Sequence, residues 1–111
     1  MYEITGTTIR LTRGDTFKTV VGMKWKGTGE DYTPVEGDVV RFALKRSVYD
    51  HGEPIIEKTI PHDTMLLQLQ PSDTKQLSFG SYVYDIEITF ANGDVDTFIQ
   101  EAKFELLPEV D

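Results

Sequence analysis

The sequence contains no cysteine. Disulfides, thiolate nucleophiles and cysteine zinc sites are excluded together, and the chain fits synthesis in a reducing cytoplasm. Histidine is scarce, with His51 and His62 the only two. Both fall in turn-like stretches, beside Asp50 and Asp63, and neither is near a serine in a nucleophile context. No triad can be drawn, so both are read as solvated loop residues. Long hydrophobic runs are missing as well. The opening MYEITGTTIRLTRGD has no apolar run that could serve as a signal peptide, and no stretch is long enough to span a bilayer. Neither general secretion nor membrane insertion is expected. Positive charge is in short supply, 11 Lys and Arg against 19 Asp and Glu, for a net charge of −8. Such a surface repels phosphate backbones and anionic lipid, so nucleic acid and membrane are not expected partners. The excess acid favours solubility.

What is present is core material in a period of two. Of 111 residues, 39% are hydrophobic and 11% aromatic. That suffices for one domain over residues 1–111 that buries about two-thirds of its unfolded surface. From Tyr82 to Phe90 the residues Tyr82, Tyr84, Ile86, Ile88 and Phe90 fall on one face. Ser81, Asp85, Glu87 and Thr89 fall on the other, with Val83 the exception. This is a half-buried strand, and its two carboxylates point away from its tyrosines. The run is a beam of a scaffold rather than the wall of an active site.

The following Ala91-Asn92-Gly93-Asp94 predicts a type I′ hairpin turn at Asn-Gly. The return strand carries Val95, Thr97 and Ile99 in odd register, then Ala102, Phe104 and Leu106 in even register. That phase change predicts a β-bulge near Gln100-Glu101. Earlier strands are expected around Ile9 and Leu11, with a short piece around Tyr2–Ile4 as an optional strand ahead of it. Others follow at Phe17, Val21, Met23 and Trp25, at Val40, Phe42 and Leu44, and at Met65, Leu67 and Leu69. Ile55–Ile60 reads as an edge strand between Pro54 and Pro61. A turn is expected at His51-Gly52, and Pro71–Gln76 predicts one short helical turn. Tyr82, opening its strand after that crossover, has the form of a tyrosine corner. About seven short strands in roughly 100 residues describe an all-β, antiparallel, immunoglobulin-like β-sandwich. A small closed barrel is the alternative; the terminal hairpin and the helical crossover favour the sandwich.

No pattern of reactive groups emerges. Asp94 and Asp96 bracket a hairpin but lack the further oxygen ligands of a calcium loop. Asp94 is read as serving the turn and Asp96 the wet face of the strand. Gly27-Thr28-Gly29-Glu30-Asp31 has the glycines of a phosphate loop without the lysine or the helix. No catalytic, metal or cofactor residue is expected. Trp25 fits the core face, whereas Tyr32 and Tyr49 lie in or beside loops and are the candidate contact residues for a sugar or a protein.

The order of motifs carries a resemblance. RLTRGDTF, EGDVVRFALKRS, IIEKTI, then LLQLQPSDTKQLSFGSYVYDIEITFANGDVDTFI and AKFELLPEV resemble a family of small Ig-like domains. These occur in tailed phages and prophages of Gram-positive bacteria, and the chain resembles in particular the N-terminal domain of lactococcal-type upper baseplate proteins. The resemblance spans nearly the whole chain. It implies a non-enzymatic virion component of the tail or baseplate, made in the host cytoplasm, whose partners are other tail or baseplate proteins. Self-assembly into a homo-oligomer is a further expectation of the family. A carbohydrate- or receptor-binding module acting through Tyr32 and Tyr49 is the competing expectation.

Overall fold

Alternation of apolar and polar side chains generates most of the strands. The computed structural model describes residues 2–5, 8–24, 28–47, 49 and 52–108. Among them are β1 (Tyr2–Thr5), β2 (Thr8–Thr12), β3 (Phe17–Val20), β4 (Val39–Lys45), β5 (Ile56–Ile60) and β6 (Leu66–Leu69). After the helical turn α1 (Pro71–Thr74) come the two longest strands, β7 (Gly80–Thr89) and β8 (Val95–Leu107). Six strands form a sheet in the order β1-β2-β8-β7-β4-β5, and β3 and β6 pair as a second, smaller sheet.

The inward faces of the two sheets meet in a single core. Phe17, Leu67 and Leu69 from the small sheet pack towards Val40, Phe42 and Leu44 of β4, and towards Tyr82, Tyr84, Ile86 and Ile88 of β7. Phe104 and Leu106 of β8 and Ile9 and Leu11 of β2 complete the same cluster. The rings of Phe42 and Tyr84 lie 5.4 Å apart, and Tyr82 meets Phe104 edge-on at 6.5 Å. Each such buried side chain contributes about 1.5–3 kcal/mol of transfer free energy. The large sheet does not close, because β1 and β5 lie at its opposite edges. The fold is a two-layer, immunoglobulin-like β-sandwich and not a barrel.

Pairing is antiparallel except between β2 and β8, which run parallel with Ile9 opposite Phe104 and Leu11 opposite Leu106. These strands are nearly a hundred residues apart in sequence, so no hairpin fixes their relative direction. β5 occupies a sheet edge, as its flanking prolines predict. Strand β3 ends at Val20, yet Val21 and Met23 continue the buried odd-numbered face. Trp25, and His51 with its turn, lie outside the described residues.

The terminal hairpin departs from expectation in two ways. Gly93 has φ of 97°, whereas Asn92 is absent from the described non-glycine residues with positive φ. The Gly93 N–H donates to the Phe90 carbonyl and the Phe90 N–H to the Asp94 carbonyl. The turn is therefore a type I turn closed by a left-handed glycine, a three-residue loop in place of the type I′ form. In β8, register slips once between Ile99 and Ala102, where Glu101 has φ of 52°, and again between Thr97 and Ile99. The first slip is the expected bulge at Gln100-Glu101. The second turns Val95 and Thr97 outward, opposite Thr89 and Glu87, so neither joins the core.

At the other end of β7 the tyrosine corner is formed. The Tyr82 hydroxyl donates to the Ser78 carbonyl at 2.5 Å. Nearby, α1 is capped by the Asp73 carboxylate, which accepts the Gln70 N–H at 2.7 Å and pairs with Lys58 at 3.0 Å. The buried Thr74 hydroxyl accepts the Gly14 N–H at 2.9 Å, tying the crossover to the turn after β2.

Candidate functional site

Because side chains alternate across a strand, the large sheet turns its polar residues to one open face. On that face Arg41 of β4 lies between Glu57 of β5, at 3.3 Å, and Glu87 of β7, at 4.0 Å. Arg10 of β2 donates to Glu105 of β8 at 3.0 Å. Asp85 has a different task. Its Oδ1 accepts the Glu101 N–H at 2.6 Å, satisfying the backbone group that the bulge pushes out of the ladder. Asp85, Glu87 and Glu57 border a shallow depression of about 200 Å³ together with Arg41 and Lys45. It is open to solvent, and the three carboxylates face basic or N–H donors rather than a reactive partner.

A second depression of about 340 Å³ lies further along the same face, towards the start of β7. Its lining mixes the cations Arg46 and Lys103 and the acid Glu105 with Ser47, Ser81, Tyr82 and Val83. The Arg46 Nη1 donates to the Tyr82 hydroxyl at 3.1 Å, and its guanidinium carbon lies 5.3 Å from the centre of the Tyr82 ring. The tyrosine corner thus fixes both the tyrosine and the arginine above it.

The two tyrosines singled out from the sequence are not brought together. Tyr49 is 84% exposed, on the connection between β4 and β5. Tyr32 is not a free contact residue. It is half-buried against the core, its ring meets Phe90 edge-on at 5.7 Å, and its hydroxyl donates to Asp38 Oδ2 at 2.6 Å. Asp38 was not singled out in the sequence and proves to be the chief polar anchor of this end. It is 7% exposed. Besides Tyr32 it accepts the Val35 N–H and the Ala91 N–H, each at 3.1 Å, joining the long loop to the terminal hairpin. Those donors, with the Tyr32 hydroxyl first among them, hold the Asp38 carboxyl below its usual range, while Asp38 raises the Tyr32 phenol. Gly37 makes the geometry possible. Its φ is 99°, and a Cβ there would meet the Ala91 Cβ at 3.0 Å. The sequence signal is slight: an aspartate after a glycine, one residue before a strand.

Among the described residues, no group of three or more His, Asp or Glu side chains is arranged to hold a metal ion. Asp94 serves the hairpin turn, its N–H donating to Asn92 Oδ1 at 2.9 Å. Asp96 is exposed opposite Ile88, at the end of the inward face rather than on the wet one. His62 is half-buried in the turn after β5 and adds a small favourable charge effect on Asp38.

No family model and no curated protein matches the chain. Among solved structures it is similar to the crystal structure of CopC from Methylosinus trichosporium OB3b. The likeness has 20% identity and a TM-score of 0.40, over 68% of this chain and 72% of that one. No described helix is long and apolar enough to cross a membrane. What the arrangement offers chemically is an open charged face, a hydrogen-bonded tyrosine–arginine corner and edge strands β1 and β5 on the large sheet.

Proposed function

We propose that the chain is a non-enzymatic structural module of a phage or prophage virion, part of the tail or baseplate that serves host adhesion. It acts through protein–protein contacts with other tail or baseplate proteins. The sequence resemblance supplies the setting. The observation that carries the reading is the condition of the large sheet's outer face. Glu57 and Glu87 are paired with Arg41, and Asp85 with a backbone N–H, on a surface that is open rather than enclosed. Groups so engaged reinforce a scaffold and leave its edges and ends as the means of attachment. Quantitative peptide mass spectrometry of density-banded particles from a host carrying the gene tests this. The chain is expected at a fixed ratio to the other tail proteins, and its absence from particles would overturn the proposal.

A second reading is favoured by one observation, the exposure of Tyr49. A carbohydrate- or receptor-binding module would use that ring as a stacking platform. Tyr32 does not contribute, because its ring and hydroxyl are occupied internally. Selective glycan binding that Tyr49→Ala abolishes, without loss of thermal stability, would favour this second reading over the first.

A further inference from the structure

The sheet edges of this fold are not equally guarded. An exposed edge invites a further strand, so folds block the edges they do not use. On the large sheet, β5 lies between Pro54 and Pro61, and its Lys58 points inward, opposite Phe42, to pair with Asp73 at 3.0 Å. Strand β8 is open on one side over Val95–Lys103, because β2 covers Phe104–Leu107, but two register slips break that stretch. On the small sheet the outer edge of β6 is occupied from within. The Leu66 N–H donates to the Thr64 hydroxyl at 3.4 Å, and the Gln70 N–H to Asp73 at 2.7 Å. Prolines, inward charge, bulges and local acceptors each discourage strand addition.

The other edge of the small sheet, along β3, has none of these. The Val21 N–H donates to the Met65 carbonyl at 2.8 Å, and the register sets Phe17 opposite Leu69 and Thr19 opposite Leu67. Bonding direction alternates along an antiparallel strand. Phe17, Thr19 and Val21 therefore bond towards β6, while Lys18, Val20 and Gly22 turn their N–H and C=O groups to the open side. All three are exposed, and a Cβ added at Gly22 would meet nothing within 4 Å. The run from Phe17 to Gly22 contains no proline. Its outer face carries Val20, 69% exposed opposite Leu66, and Lys18, which has no carboxylate partner among the described residues.

We propose that this edge of β3 receives an extended segment of a different protein, which adds to the small sheet as a further strand. The backbone groups of Lys18, Val20 and Gly22 supply the pairing. Side chains supply the choice: a β-branched residue beside Val20 prolongs the Val20–Leu66 row, and an acidic residue lies beside Lys18. The same edge of a second copy, Phe17–Gly22, offers no acid to Lys18. The proposal rests on the structural-module reading and names the chemistry of one neighbour. It is tested on purified protein, so its failure and a failure to find the chain in particles are separate results.

The test is NMR of the isotope-labelled chain. In the free protein the amides of Lys18, Val20 and Gly22 should exchange with deuterium faster than those of Thr19 and Val21. The probe is a peptide of about eight alternating valines and threonines with one central glutamate. Saturable shifts over Phe17–Gly22, with those three amides becoming protected, are expected. Val20→Pro removes an outward N–H and no bond to β6, and should weaken peptide binding about tenfold or more. N-methylation of alternate peptide amides leaves the protein unaltered and should abolish binding. Lys18→Glu should reverse the preference, favouring a peptide with lysine in place of glutamate. Four results would overturn the proposal: slow exchange at Lys18, Val20 and Gly22 in the free chain, no saturable shifts, shifts indifferent to these changes, or an edge already taken by a second copy.

Discussion

The carboxylate of Asp38 sits where a phenol and two backbone N–H groups converge, and its ionised state is what they recognise. Its pKa in the folded chain is lowered from 3.8. The unfolded chain therefore takes up the proton first as pH falls. The stabilisation from Asp38 is complete above the unfolded value and disappears as pH drops through the depressed folded one. Asp38→Asn keeps the size but places an amide against N–H or hydroxyl donors. A lower melting temperature at neutral pH and a flatter acid limb are expected in thermal melts across pH. The alkaline limb belongs to the tyrosines. Burial pushes the Tyr84 phenol from 10.0 to about 12, and a raised folded pKa gives stability that is full below the unfolded value and fades between the two. Stability should therefore fall between pH 10 and 12, and Tyr84→Phe should flatten that fall in denaturant titrations.

At the scale of elements, the bulge in β8 illustrates how backbone and side chain share a cost. Glu101 takes a left-handed conformation that disfavours residues with a Cβ, and Asp85 across the ladder accepts its N–H. Asp85→Ala should cost about 1 kcal/mol by removing that acceptor. Glu101→Gly should be neutral or stabilise by up to about 1 kcal/mol. Urea unfolding of the two variants checks both signs. The same elements show what can be read from a sequence. The inward face of β7, the bulge at Gln100-Glu101, the helical turn at Pro71 and the edge position of β5 all follow from local alternation, proline and turn chemistry. The second slip near Phe98 does not, because Val95 and Thr97 alternate correctly and only their partners across the ladder show that they face outward. Asn92-Gly93 suits two turn types, and the pairing of Phe90 with Asp94 selects between them. The parallel contact of β2 with β8 has no local signature at all. For the same reason Tyr32 read as a free aromatic: its partners, Asp38 and Phe90, approach only after the loop has closed on the hairpin.

As a whole, the molecule measures 46 × 28 × 24 Å, and among the described residues the large buried side chains fall in one cluster. Without disulfides, that cluster and the ladders around it carry the stability. Phe104, fully buried between the tyrosine corner and the parallel strand, is central to it. Phe104→Ala should cost about 3–5 kcal/mol, a large part of the ~5–15 kcal/mol typical of a domain, and should shift the urea midpoint accordingly. On the proposed reading, the charged exterior is the part that meets neighbouring proteins. Lysine-directed cross-linking of intact, banded particles, read by mass spectrometry, tests this central claim most directly. The account predicts links from Lys45, Lys103 or Lys24 of this chain to neighbouring tail or baseplate proteins or to further copies of itself. Particles that contain no such links, or that lack the chain altogether, would contradict it.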